Sequence, residues 1–174
     1  MTLIASVSGI RGTIGGEINQ NLTPVDVVAF AAAYGSWIKT KHHSATVVVG
    51  RDARISGPMV QALVQQTLVS LGIDVIDVGL STTPTVEMEV VRKQAQGGII
   101  ITASHNPKQW NALKLLNNKG EFISADDGAE LMQYVSDQSY DFVGVDVSYF
   151  TALCSLYASL VRGGNQHTSR RMQM

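Results

Sequence analysis

The sequence predicts an α/β protein with three layers (α/β/α) around a mostly parallel mixed sheet. Three short apolar runs bounded by glycine, at residues 46–50, 73–79 and 97–103, are typical of strands that are covered on both faces. Amphipathic helical patterns separate these runs. Alternation of strand and helix favours right-handed βαβ units, which place helices on both faces of a sheet.

The first predicted helix covers residues 24–39. Its shared apolar face consists of Val27, Phe30, Ala31, Tyr34 and Ile38.

The second predicted helix begins near Ser56, which we expect to cap it, and Pro58 falls in its first turn. From Val60 onward its apolar residues recur with a period of 3.6. Gly72 is expected to end it.

Two further helices complete the pattern. One is predicted to start at Thr83, just before Pro84. The other follows Ser124 and Asp127, which have the spacing of a capping box. Between these helices the segment "ALKLLN" is compatible with an antiparallel strand.

Composition sets broad limits on function. The chain has 174 residues and a formal net charge of -1, which suggests one main domain and gives no reason to expect a nucleic-acid or membrane partner. Cys154 is the single cysteine, so no intrachain disulfide can form, and we expect a reducing compartment, the cytoplasm. The amino terminus lacks the pattern of a signal peptide, and no apolar stretch is long enough to cross a bilayer.

The last part of the sequence differs from the rest. Residues 147–174 contain no Asp or Glu, and they begin as an apolar, helix-compatible stretch and end as a polar tail that we expect to be disordered. We therefore divide the chain into a domain of residues 1–146 and an atypical tail of residues 147–174.

Three polar loops follow the predicted strands, at residues 50–57, 79–85 and 102–111. Parallel strands deliver such loops to one sheet edge, where α/β proteins bind ligands. This topology brings Arg51, Asp52 and Arg54 to the same edge as Ser104 and His105. We expect a ligand edge in preference to three unrelated turns, with Asp52 and Arg54 paired to brace their own loop.

For two stretches, residue chemistry alone leaves two interpretations open. The glycine-rich segment "SGIRGTIGG" is compatible with a backbone anion nest or with a simple turn. Ser104 either stabilises a turn before Pro107 or is presented to a ligand. A Ser104–His105 dyad is disfavoured because adjacent side chains of an extended segment point apart, and the pattern Gly-x-Ser-x-Gly does not occur.

Three segments in order, "SGIRG", "GRDARISG" and "GGIIITASHNPKQWNALK", resemble the N-terminal domain of the α-D-phosphohexomutases. The resemblance covers roughly the first 145 residues. It implies a phosphorylated serine at Ser104 that passes its phosphoryl group to a hexose phosphate. The bisphosphorylated sugar then returns its other phosphate to the serine, which moves phosphate between C1 and C6.

The resemblance also implies roles for other residues. Arg11 and Lys114 are expected to bind phosphate and assist catalysis, with His105 as a flanking catalytic residue and Asn106 as a further phosphate contact. A Mg²⁺ ion is expected on the phosphate of Ser104, which is its only ligand carried over to this chain. A glucose 1,6-bisphosphate-type activator is implied as well.

Departures from the family pattern limit the expected activity. Asn111–Lys114 reads "NALK" where many members have glycine second, and loops resembling "DGDGDR" and "GExSGH" do not occur. We therefore expect the chain alone to be catalytically incomplete. The alternatives are a non-catalytic phosphate-binding, sugar-phosphate-binding or assembly module, and a folding fragment without function. Self-association through surface left by missing domains is a further expectation.

Overall fold

The computed structural model describes residues 1–6 and 9–144. The predicted apolar and then disordered tail, residues 147–174, lies outside the described residues. The strands are β1 (Ile4–Ser6), β2 (Gly9–Thr13), β3 (Thr46–Arg51), β4 (Asp74–Leu80), β5 (Gly97–Ile101) and β6 (Trp110–Leu116). The helices are α1 (Pro24–Lys41), α2 (Gly57–Ser70), α3 (Thr83–Arg92) and α4 (Ala125–Asp137).

The strands form one six-stranded mixed sheet in the order β1-β2-β6-β5-β3-β4. β3 pairs in parallel with β4 and β5, whereas β6 is antiparallel to β5 and β2. β1 is antiparallel to β2, so β2, β3, β4 and β5 run in one direction and β1 and β6 in the other. The predicted α/β class, the three strands and the antiparallel strand are confirmed. β4 is an edge strand and none of its residues is buried, so the expectation that it is covered on both faces was wrong.

Helices cover both faces of this sheet, which gives the predicted three layers. Alternate residues of β3 separate two core clusters. Val47 and Val49 pack in the larger cluster with residues of α1, α2 and α4, while Val48 packs in the smaller one with Val86 and Val90 of α3. This alternation is the two-residue period of a strand that is buried on both sides.

Capping side chains explain where three of the four helices begin. Thr23 with Asp26, and Ser124 with Asp127, form capping boxes at α1 and α4. The cap of α3 is Thr82, one residue before the expected start signal.

Ser56 occupies the cap position of α2, but its side chain makes no capping hydrogen bond, so that expectation was wrong. The Ser56 hydroxyl instead accepts a hydrogen bond from Asn111 Nδ2 at 2.9 Å.

Tyr34 ties α1 to the centre of the sheet. Its hydroxyl lies 2.6 Å from the carbonyl oxygen of Leu116 and 3.2 Å from that of Gly98, and burial raises its pKa far above the ordinary value. A Cβ at Gly97 would stand 2.1 Å from this hydroxyl, so β5 admits Tyr34 only because it carries glycine there.

No helix in the described part of the chain is long and apolar enough to cross a membrane.

Candidate active site

Ser104 lies in the connection between β5 and β6, just beyond the carboxyl end of β5. Its φ is 52°, in the left-handed region, and the residue is exposed. The Ser104 N–H donates to the Thr102 hydroxyl at 3.1 Å, and the Asn106 N–H closes the turn on the Ala103 carbonyl at 3.0 Å. The backbone of Ser104 is thus fixed by a tight turn that leaves its hydroxyl at the surface.

Arg54 reaches this turn from the loop that follows β3. Its two terminal nitrogens donate to four carbonyl oxygens at 2.7 to 2.9 Å. These belong to Ser104, Asn106, Pro107 and Trp110. The sequence argument placed Arg54 and Ser104 at one sheet edge, and the structure joins them directly.

Asp52 completes this arrangement beneath the turn. Its carboxylate lies 3.2 Å from Arg54 Nε, which confirms the predicted pair, and it accepts a hydrogen bond from the Thr102 hydroxyl at 2.7 Å. Because Thr102 also bonds the Ser104 N–H, the carboxylate is linked to the serine backbone through one hydroxyl.

The neighbours of Ser104 in the chain are directed to the surface. His105 is exposed and Asn106 is half-buried. Within the described residues no hydrogen bond joins the side chains of Ser104 and His105. The premise of the sequence argument against a serine–histidine dyad was wrong, because Ser104 and His105 lie in a turn and not in an extended segment, with Ser104 in the left-handed region.

Arg11 and Lys114 lie on adjacent strands on the face of the sheet that carries α3. Arg11 of β2 is paired with Ala112 of β6, and Lys114 is paired with Gly9, so the two basic residues are diagonal neighbours. Such diagonal positions are about 7 to 8 Å apart. The structure brings these two predicted phosphate-binding residues together.

The close approach of β2 and β6 depends on Gly9. Its φ is 131°, and a Cβ there would lie 1.9 Å from the Leu113 carbonyl oxygen. Residues Gly9–Thr13 therefore form a strand with a close backbone contact, and the interpretation of the segment as a simple turn was wrong.

Ser104 and Lys114 are not in contact in this structure. Lys114 of β6 pairs with Ile100 of β5, and Ser104 follows four residues after Ile100, beyond the end of that strand. The Lys114 ammonium lies 5.7 Å from the ring centroid of Phe122, which bridges to Leu116 at the far end of β6. No ion pair holds Lys114 or Arg11 within residues 1–6 and 9–144.

Metal ligands are scarce in the same range. No group of three or more His, Cys, Asp or Glu there is placed to hold a metal ion. Asp52, the carboxylate nearest the serine loop, is already bonded to Arg54 and Thr102. These residues do not form a magnesium site by themselves.

Comparison with known proteins identifies the domain. The sequence pattern of "Phosphoglucomutase/phosphomannomutase, alpha/beta/alpha domain I" matches residues 3–141. The chain belongs to this family. The match takes in β1 to α4 and includes Arg11, Ser104 and Lys114.

Individual relatives agree with this assignment. The chain is similar to a phosphoglucosamine mutase of Natranaerobius thermophilus, with 33% identity over 84% of the chain and 32% of that protein. It is 41% identical to a phosphoglucomutase/phosphomannomutase of Thermococcus kodakarensis over 63% of the chain and 25% of that protein. It is also 33% identical to a phosphomannomutase of Escherichia coli over 79% of the chain and 28% of that protein.

Solved structures give the same fold. A putative phosphomannomutase from Thermus thermophilus superposes with a TM-score of 0.71 and 25% identity, over 83% of the chain and 32% of that protein. A phosphoglucomutase/phosphomannomutase family protein from Burkholderia thailandensis superposes with a TM-score of 0.68 and 27% identity, over 80% of the chain and 31% of that protein. The chain thus spans about a third or less of the length of these relatives.

Sequence reasoning missed one major part of the domain I site. It expected Arg54 to brace its own loop through Asp52, but the guanidinium also holds the serine loop. The acceptors are backbone carbonyls, which every residue carries, so no residue type in the 104–110 segment signals them. The single available signal was that both loops follow parallel strands at one sheet edge.

Proposed function

We propose that this domain I carries a transferable phosphoryl group on Ser104 and exchanges it with a hexose phosphate. The observation that carries the proposal is the exposed Ser104 in a turn whose backbone Arg54 fixes from below. Phosphoryl transfer requires positioning and neutralised charge more than covalent help from a strong base. The fixed backbone of Ser104 meets the need for positioning. Arg11 and Lys114, which have no ion pair within the described residues, meet the need for neutralised charge.

In the proposed reaction the bond between phosphorus and the Ser104 oxygen breaks as a bond forms to a sugar hydroxyl oxygen. The sugar hydroxyl gives up its proton, and the serine oxygen regains one. The sugar is then bisphosphorylated, and its other phosphate returns to Ser104, so that phosphate has moved between C1 and C6. The family names in the comparisons and the Ser104 motif support this sequence of steps.

We assign Arg11 and Lys114 to phosphate binding, because two adjacent cations on one sheet face attract the phosphorylated end of a sugar. Contact of Lys114 with the serine phosphate requires its side chain to rotate away from Phe122. His105 is assigned to proton transfer beside the phosphoserine, and the Asn106 amide to a further phosphate contact.

Magnesium is implied by the family resemblance, and on this chain only the phosphate of Ser104 would meet it. When bound, the ion would neutralise part of the phosphate charge. The described residues do not complete its coordination, so its remaining ligands would have to come from elsewhere.

The chain alone is proposed to accept phosphate without efficient mutase turnover. It spans about a third of the relatives' length. Two cavities in the described residues, one between α1 and α2 and one near Val91 and Lys119, are not lined by Ser104. Self-association stays a prediction, which sedimentation can test.

The test is incubation with glucose 1,6-bisphosphate, followed by intact mass and peptide mapping. We expect one phosphate on Ser104 in the wild type and none in Ser104→Ala. A full-length relative treated in the same way serves as the positive control. If the relative is phosphorylated and this chain is not, the proposal fails and a non-catalytic binding or assembly module becomes the better account.

A further inference from the structure

The Arg54 guanidinium is saturated by hydrogen bonds. It has five N–H donors: Nε is bonded to Asp52, and the two terminal nitrogens are bonded to four carbonyls of the serine loop. The side chain is 11% exposed. Arg54 therefore has no N–H group left to donate to a substrate. Four of its five hydrogen bonds are made to the serine loop.

These contacts fix the polarity of the loop backbone. No peptide bond of the described residues is cis, and in a planar trans peptide the C=O and N–H groups point in opposite directions. With the Ser104 and Pro107 carbonyls drawn to Arg54, the N–H groups of His105 and Lys108 point away from it. The peptide between Asn106 and Pro107 has no N–H group.

Carbonyl oxygens near a phosphoryl group would repel it, whereas N–H groups would attract it. Arg54 gathers four carbonyl oxygens on the inner side of the loop and so leaves donors directed outward. The cation also polarises the same peptides, which strengthens their outward N–H groups as donors.

We propose that Arg54 is a positioning residue for phosphoryl transfer at Ser104. It holds Ser104 in its left-handed backbone conformation, with the carbonyl groups of the loop directed toward Arg54. The Ser104 hydroxyl therefore has the same position in each phosphoryl transfer. This inference rests on the proposed function and goes beyond it, since it assigns a role to a residue that touches neither phosphate nor sugar.

Lysine cannot substitute in this role. Its ammonium has three donors around one point, whereas the four carbonyls and the Asp52 carboxylate are arranged around a planar fork. Arg54→Lys therefore keeps the charge near Asp52 and removes most of the hold on the loop.

The experiment combines two measurements on Arg54→Lys, with Arg92→Met as the control. Arg92 is exposed and pairs with Glu89 on α3, outside the loop. We measure amide exchange of the 102–110 segment, and the rate of phosphate transfer from glucose 1,6-bisphosphate to Ser104. In Arg54→Lys we expect loop exchange to rise and transfer to fall, each by about tenfold or more, because several bonds to a charged group are lost. Arg92→Met is expected to match the wild type in both.

A pH profile of the transfer rate separates positioning from proton transfer. Arg54→Lys should lower the rate by the same factor at every pH, while loss of a titrating group would change the shape of the profile. In Arg54→Ala, methylguanidinium should restore part of both loop protection and transfer, because it supplies the missing fork.

Two results would overturn the inference: loop exchange in Arg54→Lys that matches the wild type, or transfer at the wild-type rate from a loosened loop. If Arg54→Lys fails to fold, Arg54→Ala prepared in methylguanidinium makes the same test, with loop exchange and transfer compared as the additive is withdrawn, because the additive alone then supplies the donors to the four carbonyls. If the wild type accepts no phosphate, the proposed function and Arg54's role in transfer both fail, and loop exchange still reports whether Arg54 holds the loop.

Discussion

The inner and outer sides of the serine loop differ in how completely their polar groups are used. On the inner side Arg54 has all five donors bonded, and the Asp52 carboxylate accepts from Arg54 and from Thr102. On the outer side Ser104 and His105 are exposed, and no hydrogen bond between described residues joins their side chains. The residues that hold the loop and the serine that is proposed to carry phosphate are thus separated only by the backbone of the loop.

The largest expected effect is at Lys114, which lies on β6 outside the serine loop. Lys114→Met is predicted to slow phosphate transfer to Ser104 about 100-fold, as loss of one positioned charge commonly does. The free energy of unfolding should change by less than about 1 kcal/mol, the size of an exposed cation–π contact such as that with Phe122. Stopped-time transfer assays and urea titration check both. Lys119→Met, an exposed change elsewhere, is the control, and equal rates in the two variants would contradict the role of Lys114.

The next effect is on the inner side. Asp52→Asn removes the charge that Arg54 Nε faces and should cost about 2 kcal/mol in the free energy of unfolding, the usual contribution of a hydrogen bond between charged groups. Transfer should fall in parallel, because the link through Thr102 to the Ser104 N–H weakens. Urea unfolding with fluorescence detection measures the first quantity. A stability that matches the wild type would show that the pair contributes little.

A change remote from both sides calibrates these values. Ser124→Ala removes the capping box of α4 and should destabilise the domain by about 1 kcal/mol. Transfer to Ser104 should be unaffected, because α4 packs on α1 rather than on the serine loop. Thermal unfolding and the transfer assay provide the comparison. A slowed transfer in this variant would mean that general loss of stability, rather than loop geometry, limits the reaction.

The smallest effect concerns pH. Hydrogen bonds from Ser124 and Lys41 hold the pKa of Asp127 below its usual range. A lowered folded-state pKa contributes stability that is present above the unfolded value, about 3.9, and is lost as the pH falls through the folded one. Asp127→Asn should flatten the acid limb of a stability–pH curve below about pH 5, where the carboxyl of the unfolded chain begins to bind protons. A curve with an unchanged slope would exclude this contribution.

Much of this fold was predictable because its signals are local. Glycine-bounded apolar runs indicated β3, β4 and β5, a shared apolar face indicated α1, and capping-box spacing indicated α4. β2 was missed as a strand because it is rich in glycine and its partner β6 lies some hundred residues away in the chain. β1 was missed because it has only three residues and all of them are exposed, so it has no buried alternation.

The candidate site was predictable only in part, for the same reason. Sheet topology placed Arg54 near Ser104, and the family resemblance singled out Arg11 and Lys114. The four carbonyl contacts of Arg54 depend on how the 104–110 backbone turns, and no side-chain pattern encodes that. The orientation of Lys114 toward Phe122 depends on the register of β6 and on a bridge to Leu116.

The difference between Arg54, whose donors are all bonded, and Lys114, which has no ion pair in the described residues, can be measured directly by NMR of their side chains before and after treatment with glucose 1,6-bisphosphate. The account predicts that the Arg54 Nε–H signal exchanges slowly with water in both states. It also predicts that the Lys114 ammonium signal shifts once Ser104 is phosphorylated. A rapidly exchanging Arg54 signal, or a Lys114 signal that stays unchanged after treatment, would contradict it.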